Sequence, residues 1–280
     1  MNRTPIEIDI NEWELFGGGF VADSYYKKND DSVMMKLYQA DYPPFLPYTE
    51  LLVSEQVAGL GIPTAKAFEY IKAGDRYGAV FERVKNKRSI ARILGDEPER
   101  AEEMGALFAE MVKKLHSTPC NTDVFSDMHE AARDRVKESP FLTESQRQTA
   151  LAILDNTPKM TTCVHGDCNI GNVIIAPGRG PLYIDLGDFS YGNPLFDLGM
   201  GYFMANCLPD DSCLRLFHIH LDVMGEFWKS FTSHYFPGET LEEVNEKVRP
   251  YAGFQAVQFA SKNNKSTPTL DATFEKSFGK

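Results

Sequence analysis

A chain of 280 residues, 42% hydrophobic and 25% charged, is long enough for two lobes with their own cores, and its composition argues against disordered, collagen-like and disulfide-scaffold classes. Forty acids against twenty-nine bases leave a formal charge of −11. That disfavours nucleic acid as a partner, because such binding replaces phosphate counterions with positive side chains. The five cysteines form no CxxC pair, which argues against structural zinc and favours a reducing compartment. The first ten residues lack a signal-peptide core, and no apolar run suffices to cross a bilayer. A cytoplasmic protein without a membrane partner is expected.

In chain order, Glu12 to Phe16 reads as a strand, followed by Gly17-Gly-Gly-Phe20. Without Cβ atoms, Gly17, Gly18 and Gly19 let backbone N–H groups approach nucleotide phosphates, although hairpin turns use the same residues. Val21 to Lys27 and Ser32 to Tyr38 continue as strands around the Asn29-Asp-Asp31 turn. Lys36 stands among apolar neighbours on the third strand, where an ammonium needs a reason. An outward lysine is the bland account. An ammonium on ATP phosphates, held by a helix glutamate, fits its place soon after the glycines.

Tyr48 to Leu60 reads as a helix stopped by Gly61-Ile-Pro63. Its acids Glu50 and Glu55 lie five apart on different faces, so one of them meets Lys36; Glu50 is favoured and Glu55 held in reserve. Ala65 to Ile71 and Tyr77 to Glu82 complete five antiparallel strands, joined by Gly74-Asp75. Glu82-Arg-Val-Lys85 then reads as a hinge between lobes. Main-chain groups from Glu82 to Val84 are expected to face an adenine edge. The division is drawn at 1–84 and 85–280.

From Ser89 the apolar period lengthens to about 3.6. Met104, Leu107, Phe108, Met111, Val112 and Leu115 form a core stripe ending at a structural His116. Asp127 to Ser139 and Thr143 to Asp155 read as helices, the second opened by a Thr143/Gln146 capping box. Asn193-Pro194 starts another helix, with Asp197 near its exposed N–H groups. Leu214 to Trp228 reads as a single helix, on which His218 and His220 point to different faces and make a poor metal pair. Glu239 to Ala260 is helical but should kink or split at Pro250. The tail from Ser261 is expected to be loosely held.

The chemistry concentrates in Thr162 to Ile175 and Leu182 to Phe189. His165-Gly-Asp167 is followed by Asn172 five residues later and Asp185 eighteen residues after Asp167, with apolar strands around the Pro177-Gly-Arg-Gly180 turn. Asp167 suits a general base for a hydroxyl, and the oxygens of Asn172 and Asp185 suit magnesium against ATP phosphates. His165 is read as pinning the loop. Singly, Asp167 reads as an Asx turn and Asn172 as a cap. With Lys36 upstream, the functional reading is the better one.

His165-Gly-Asp167 with Asn172, then Ile184-Asp185 and Asp197 twelve residues on, resembles the aminoglycoside phosphotransferase and choline kinase superfamily, from about Gly17 to Gly201. The resemblance implies an α+β, bilobal protein-kinase-like fold: a small antiparallel β lobe with one helix, and a larger, mostly helical lobe. It implies Asp167 as catalytic base, Asn172 and Asp185 as magnesium ligands, Lys36 on phosphate and Asp197 as a brace for the catalytic loop. Gly187 stands where many relatives carry an acid, with Asp188 one later. Asn169 and Cys168 also depart from the pattern. The expected function is transfer of the ATP γ-phosphate to a hydroxyl of a small molecule, an amine-bearing one being suggested by eight acids against four bases in residues 207–250. The competing readings are a nucleotide-binding pseudokinase, a protein kinase with little room for an activation segment after Asp185, and a metallophosphatase lacking the clustered ligands.

Overall fold

The computed structural model describes residues 3–19 and 21–280; Phe20, at the end of the glycine stretch, and Met1 and Asn2 at the start of the ten-residue leader reading lie outside the described residues. The first strands are β1 (Ile6–Glu7), β2 (Trp13–Gly17), β3 (Ala22–Lys27), β4 (Asp30–Tyr38), β5 (Ala67–Ala73) and β6 (Arg76–Glu82), with α1 (Phe45–Gly59) between β4 and β5. Then come β7 (Arg88–Ser89), α2 (Ile90–Asp96), α3 (Ala101–Ser117), α4 (Met128–Glu138) and α5 (Glu144–Asn156). The central stretch contributes β8 (Thr162–Val164), β9 (Val173–Ala176), β10 (Arg179–Tyr183) and β11 (Ser190–Gly192). Helices finish the chain: α6 (Leu195–Asn206), α7 (Asp210–Phe217), α8 (Leu221–Tyr235), α9 (Leu241–Asn263) and α10 (Pro268–Phe278).

Contacts divide the chain into two units, Met1–Lys87 with Val173–Gly187, and Arg88–Asn172 with Asp188–Lys280. The division at 84/85 left 173–187 in the second lobe, whereas its contacts group it with the first. Three long-range links explain this. Val84, Ile174, Ala176 and Leu182 share one apolar cluster. Thr64 donates its hydroxyl to the Tyr183 carbonyl, and the Arg179 guanidinium grips the Glu82 carboxylate through two nitrogens.

In the first unit the sheet order is β1-β5-β6-β4-β3-β2. Its pairs are antiparallel except β1, which runs parallel to β5 and is a sixth strand that the sequence reading did not place. Alternation along β4 decides what each residue meets. Met35 and Leu37 enter one face with Trp13, Ile71 and Val80. Met34 packs on the other face with Leu51 of α1, Tyr70 and Phe81. Lys36 shares that second face by period, which is why it reaches α1.

In the second unit α3 packs against α8, and α9 packs against both α6 and α10. The short β8–β11 ladder pairs Val164 with Ser190 and Cys163 with Tyr191, so the segment after Val164 leaves from a fixed base. Three expectations fail here. The stripe from Leu214 to Trp228 is two helices, because His218 takes a left-handed φ of 63° and the Asp210 carboxylate accepts from the Leu221 N–H at 2.8 Å to start α8. Consequently His218 and His220 lie in the connection rather than on one helix. Helix α9 does not split at Pro250; the buried run Tyr251 to Val257 offsets the cost of an interior proline, about 3 kcal/mol from the missing hydrogen bond and the ring's clash together. The tail is not loose. Thr267 caps α10, and Phe274 and Phe278 are buried, Phe278 against Phe254 with ring centroids 5.3 Å apart. Among the described residues no helix is long and apolar enough to cross a membrane.

Candidate active site

The first unit gathers three charged candidates. Lys36 Nζ donates to Glu50 Oε1 at 2.8 Å and lies 3.8 Å from Asp185 Oδ1. Of the two helix acids weighed, Glu50 is therefore the partner; Glu55 holds Arg3 instead, at 2.7 Å. Tyr38, two residues after Lys36 on the same strand face, donates its hydroxyl to Glu50 Oε2 at 2.5 Å and so fixes the carboxylate. Burial alone would lower the Lys36 ammonium, but Glu50 and then Asp185 more than offset it, and the group is held above its ordinary range. Burial and the neighbouring Glu50 raise the Tyr38 phenol, which keeps it a donor.

Lys36, Glu50 and Asp185 line a pocket of about 260 Å³ within this unit. Its apolar walls include Ala65, Phe81, Val84, Ile174 and Ile184, and Lys36, Glu50 and Asp185 supply charge. Glu82 also lines it, with its carboxylate committed to Arg179, which holds it below the usual range. Gly17, Gly18 and Gly19 are not lining residues; Ser24, paired with Gly17 across the ladder, is. A Cβ on Gly19 would meet the Ala22 carbonyl at 2.8 Å, so the turn itself requires glycine there. Asp185 follows β10 with φ 58°, a left-handed conformation that aspartate tolerates, and its side chain is 58% exposed.

The second unit holds the base candidate in a loop fixed from several sides. Gly166 has φ +80°, and a Cβ there would come within 2.3 Å of the Asp188 carbonyl, so only glycine fits. Asp197, fully buried on α6, accepts from the His165 N–H at 2.7 Å and the Gly166 N–H at 2.8 Å. Its carboxylate thus serves the loop's N–H groups, as the brace that the resemblance implied, and not those at the start of its own helix. His116, at the end of α3, contacts the same carboxylate at 3.0 Å and the Tyr235 hydroxyl at 2.7 Å. Burial pushes the Asp197 carboxyl up, yet His116, His165 and the loop N–H more than compensate and hold it below the ordinary range. Gln258 of α9 donates to the Gly166 carbonyl at 3.2 Å.

Asp167 receives one amide N–H on each oxygen, from Asn169 Nδ2 on Oδ1 and from Asn172 Nδ2 on Oδ2, both at 3.0 Å. Since Asn172 spends its nitrogen on Asp167, its side-chain oxygen is left as an acceptor, the donor type a hard cation takes. Burial is the main cause that raises the Asp167 carboxyl above its usual range; Asp188 adds to it, while His165, Asn169 and Lys262 pull the other way. Asp188, whose role the sequence left open, is ion-paired to Lys262. Asn169, Tyr38, Gln258 and Lys262 escaped the sequence reading. Only Asn169 stood in a motif; the other three are placed by tertiary contact.

Asp167 and Asn169 line a second pocket, about 380 Å³ and contained in this unit, with walls from Met200, Phe203, Leu208, Phe259 and Leu270. None of the eight acids in residues 207–250 lines it. Its charged lining residues are Asp167 and Arg215.

A β unit with one helix and a charged pocket, and a helical unit carrying a braced His-Gly-Asp loop, define an α+β protein of the protein-kinase-like class. The chain belongs to the phosphotransferase enzyme family, whose profile matches residues 12–217. It is similar in fold to a thermostable mutant of aminoglycoside phosphotransferase APH(4)-Ia, with TM-score 0.65 and 12% identity over 95% of this chain and 92% of that one. The choline kinase LicA from Streptococcus pneumoniae matches with TM-score 0.60 and 13% identity, over 95% and 91%. Aminoglycoside phosphotransferase APH(3'')-Id from Streptomyces rimosus, solved with ADP and streptomycin, matches with TM-score 0.57 and 18% identity, over 88% and 92%. Among curated proteins nothing matches.

Proposed function

We propose that the protein is an ATP-dependent phosphotransferase that moves the γ-phosphate to a hydroxyl of a small molecule. The observation that carries this reading is Asp167: a carboxylate held by two amide donors, raised above the ordinary range, and lining a pocket large enough for a small acceptor. A base needs both fixed geometry and a proton affinity nearer neutrality, and the two come together at this residue. Asp167 takes the hydroxyl proton as the acceptor oxygen bonds to phosphorus.

The nucleotide reading is supported by the first unit's pocket, with an apolar slot at Val84 and Ile184 for a base and Lys36 for phosphate. It is also supported by the ADP bound to the Streptomyces rimosus relative. Lys36, steadied by Glu50, neutralises phosphate oxygens; Gly17 to Gly19, one strand away behind Ser24, are proposed to offer main-chain N–H groups to the same phosphates. Asn172 and Asp185 each present a side-chain oxygen, the ligand type magnesium takes, and would be its ligands in this reading. When bound, the ion spreads the charge of the β- and γ-phosphates. Residence in the cytoplasm belongs to the same proposal, in keeping with five free thiols.

The experiment is a screen of pooled metabolites with ATP, read by mass spectrometry for a gain of one phosphate. Asp167→Ala should remove the product and keep nucleotide binding. Equal product from wild type and Asp167→Ala would end the proposal.

A further inference from the structure

The acceptor's charge can be read from the second pocket, an inference that rests on the phosphotransferase reading above. Besides the base Asp167, its one charged lining residue is Arg215, on α7. Among the described residues Arg215 makes no ion pair, although Asp211 sits one turn before it on the same helix and Asp210 is occupied with His220. The remaining walls are aromatic and aliphatic, from Phe203 on α6 to Phe259 on α9, and Ser212, Thr267 and Thr269 supply hydroxyls. The acids that suggested an amine stand elsewhere; Glu239, for example, is paired with Lys247.

We propose that the acceptor is a hydroxyl compound with an apolar body and an anionic group, carboxylate or phosphate, and that Arg215 binds that group. A guanidinium offers two parallel N–H donors that match either anion, and Arg215 presents them from an exposed position at the pocket's edge. An ammonium in the same place would meet like charge. Ser212, three residues before Arg215 on α7, adds a hydroxyl donor from the same helix.

The test uses four probes built on one ring: 4-(hydroxymethyl)benzoate, its methyl ester, 4-(hydroxymethyl)phenyl phosphate and 4-(aminomethyl)benzyl alcohol. Binding to the full chain is measured by calorimetry, and phosphate gain by mass spectrometry with ATP. The two anionic probes should bind tighter than the ester by about two- to fivefold, the range of an ion pair at an exposed guanidinium. The stronger of the two identifies carboxylate or phosphate as the natural group. Arg215→Gln should bring the anions to the level of the ester without changing the ester, and Arg215→Lys should restore part of the preference. The proposal is overturned if the ammonium probe binds best, if no anionic probe binds at millimolar concentration, or if Arg215→Gln keeps the anion preference. Anion-selective binding without phosphate gain on any probe would count for Arg215 and against the phosphotransferase reading. Phosphate gain on the ammonium probe alone would do the reverse.

Discussion

Asp197→Ala is the most severe test of how the loop is built. The carboxylate is fully buried and takes three donors: the His165 N–H at 2.7 Å, the Gly166 N–H at 2.8 Å and His116 Nε2 at 3.0 Å. Each buried donor left without an acceptor costs about 1–3 kcal/mol, so three bracket roughly 3–9 kcal/mol. Within that bracket we expect a loss of ~4 kcal/mol. Against a total of about 5–15 kcal/mol that is a large share. Asp197→Asn keeps one acceptor but turns an NH2 toward a donor, for about half that loss. Urea unfolding followed by Trp228 fluorescence in a Trp13→Phe background reports on the second unit. The carboxyl is depressed in the folded state, so its contribution is present above the unfolded value near 4 and is lost as pH falls through the lower folded one. Asp197→Ala should therefore flatten the acid limb of stability. A midpoint for Asp197→Ala within about 1 kcal/mol of wild type would refute the bracing argument.

Three further outcomes are expected. Glu50→Gln should lower kcat/KM for ATP by about tenfold or more, the worth of a charged hydrogen bond, whereas Glu55→Gln on the exposed Arg3 pair should leave it unchanged. Phosphate transfer should fall as pH drops through the raised Asp167 value, because the base must be ionised; Asp188→Asn should move that limb to lower pH and Lys262→Gln to higher pH in kcat profiles. Phe278→Ala should cost ~3–5 kcal/mol in urea unfolding, and a neutral result would return the tail to a loose segment.

What the sequence made legible was local. The Thr143/Gln146 capping box forms as read, because both partners lie within one turn. Lys36 stood out because an ammonium in an apolar strand needs a partner, and the helix acid that meets it was one of two within reach. Placements made by distant contacts were hidden. Val173–Gly187 belongs to the first unit through Glu82–Arg179 and Thr64–Tyr183, links that span about a hundred residues. By its place in the helix alone the Asp197 carboxylate reads as a helix-start acid; its hold on the loop 31 residues upstream came only from the family resemblance. Helix α10 was missed although Leu270, Phe274 and Phe278 recur at helical spacing; Asp271, Ala272, Glu275 and Lys276 between them form its solvent face. At Pro250 the helix does not split, because the run from Tyr251 to Val257 behind it is buried, and burial of that kind is not visible in local sequence.

In the proposed reaction Asp185 holds magnesium at the nucleotide's phosphates. Calorimetric titration of a non-hydrolysable ATP analogue, with and without magnesium, tests this on wild type and Asp185→Asn. Magnesium should tighten binding to wild type and make no difference to Asp185→Asn. The same magnesium dependence in both proteins would contradict it.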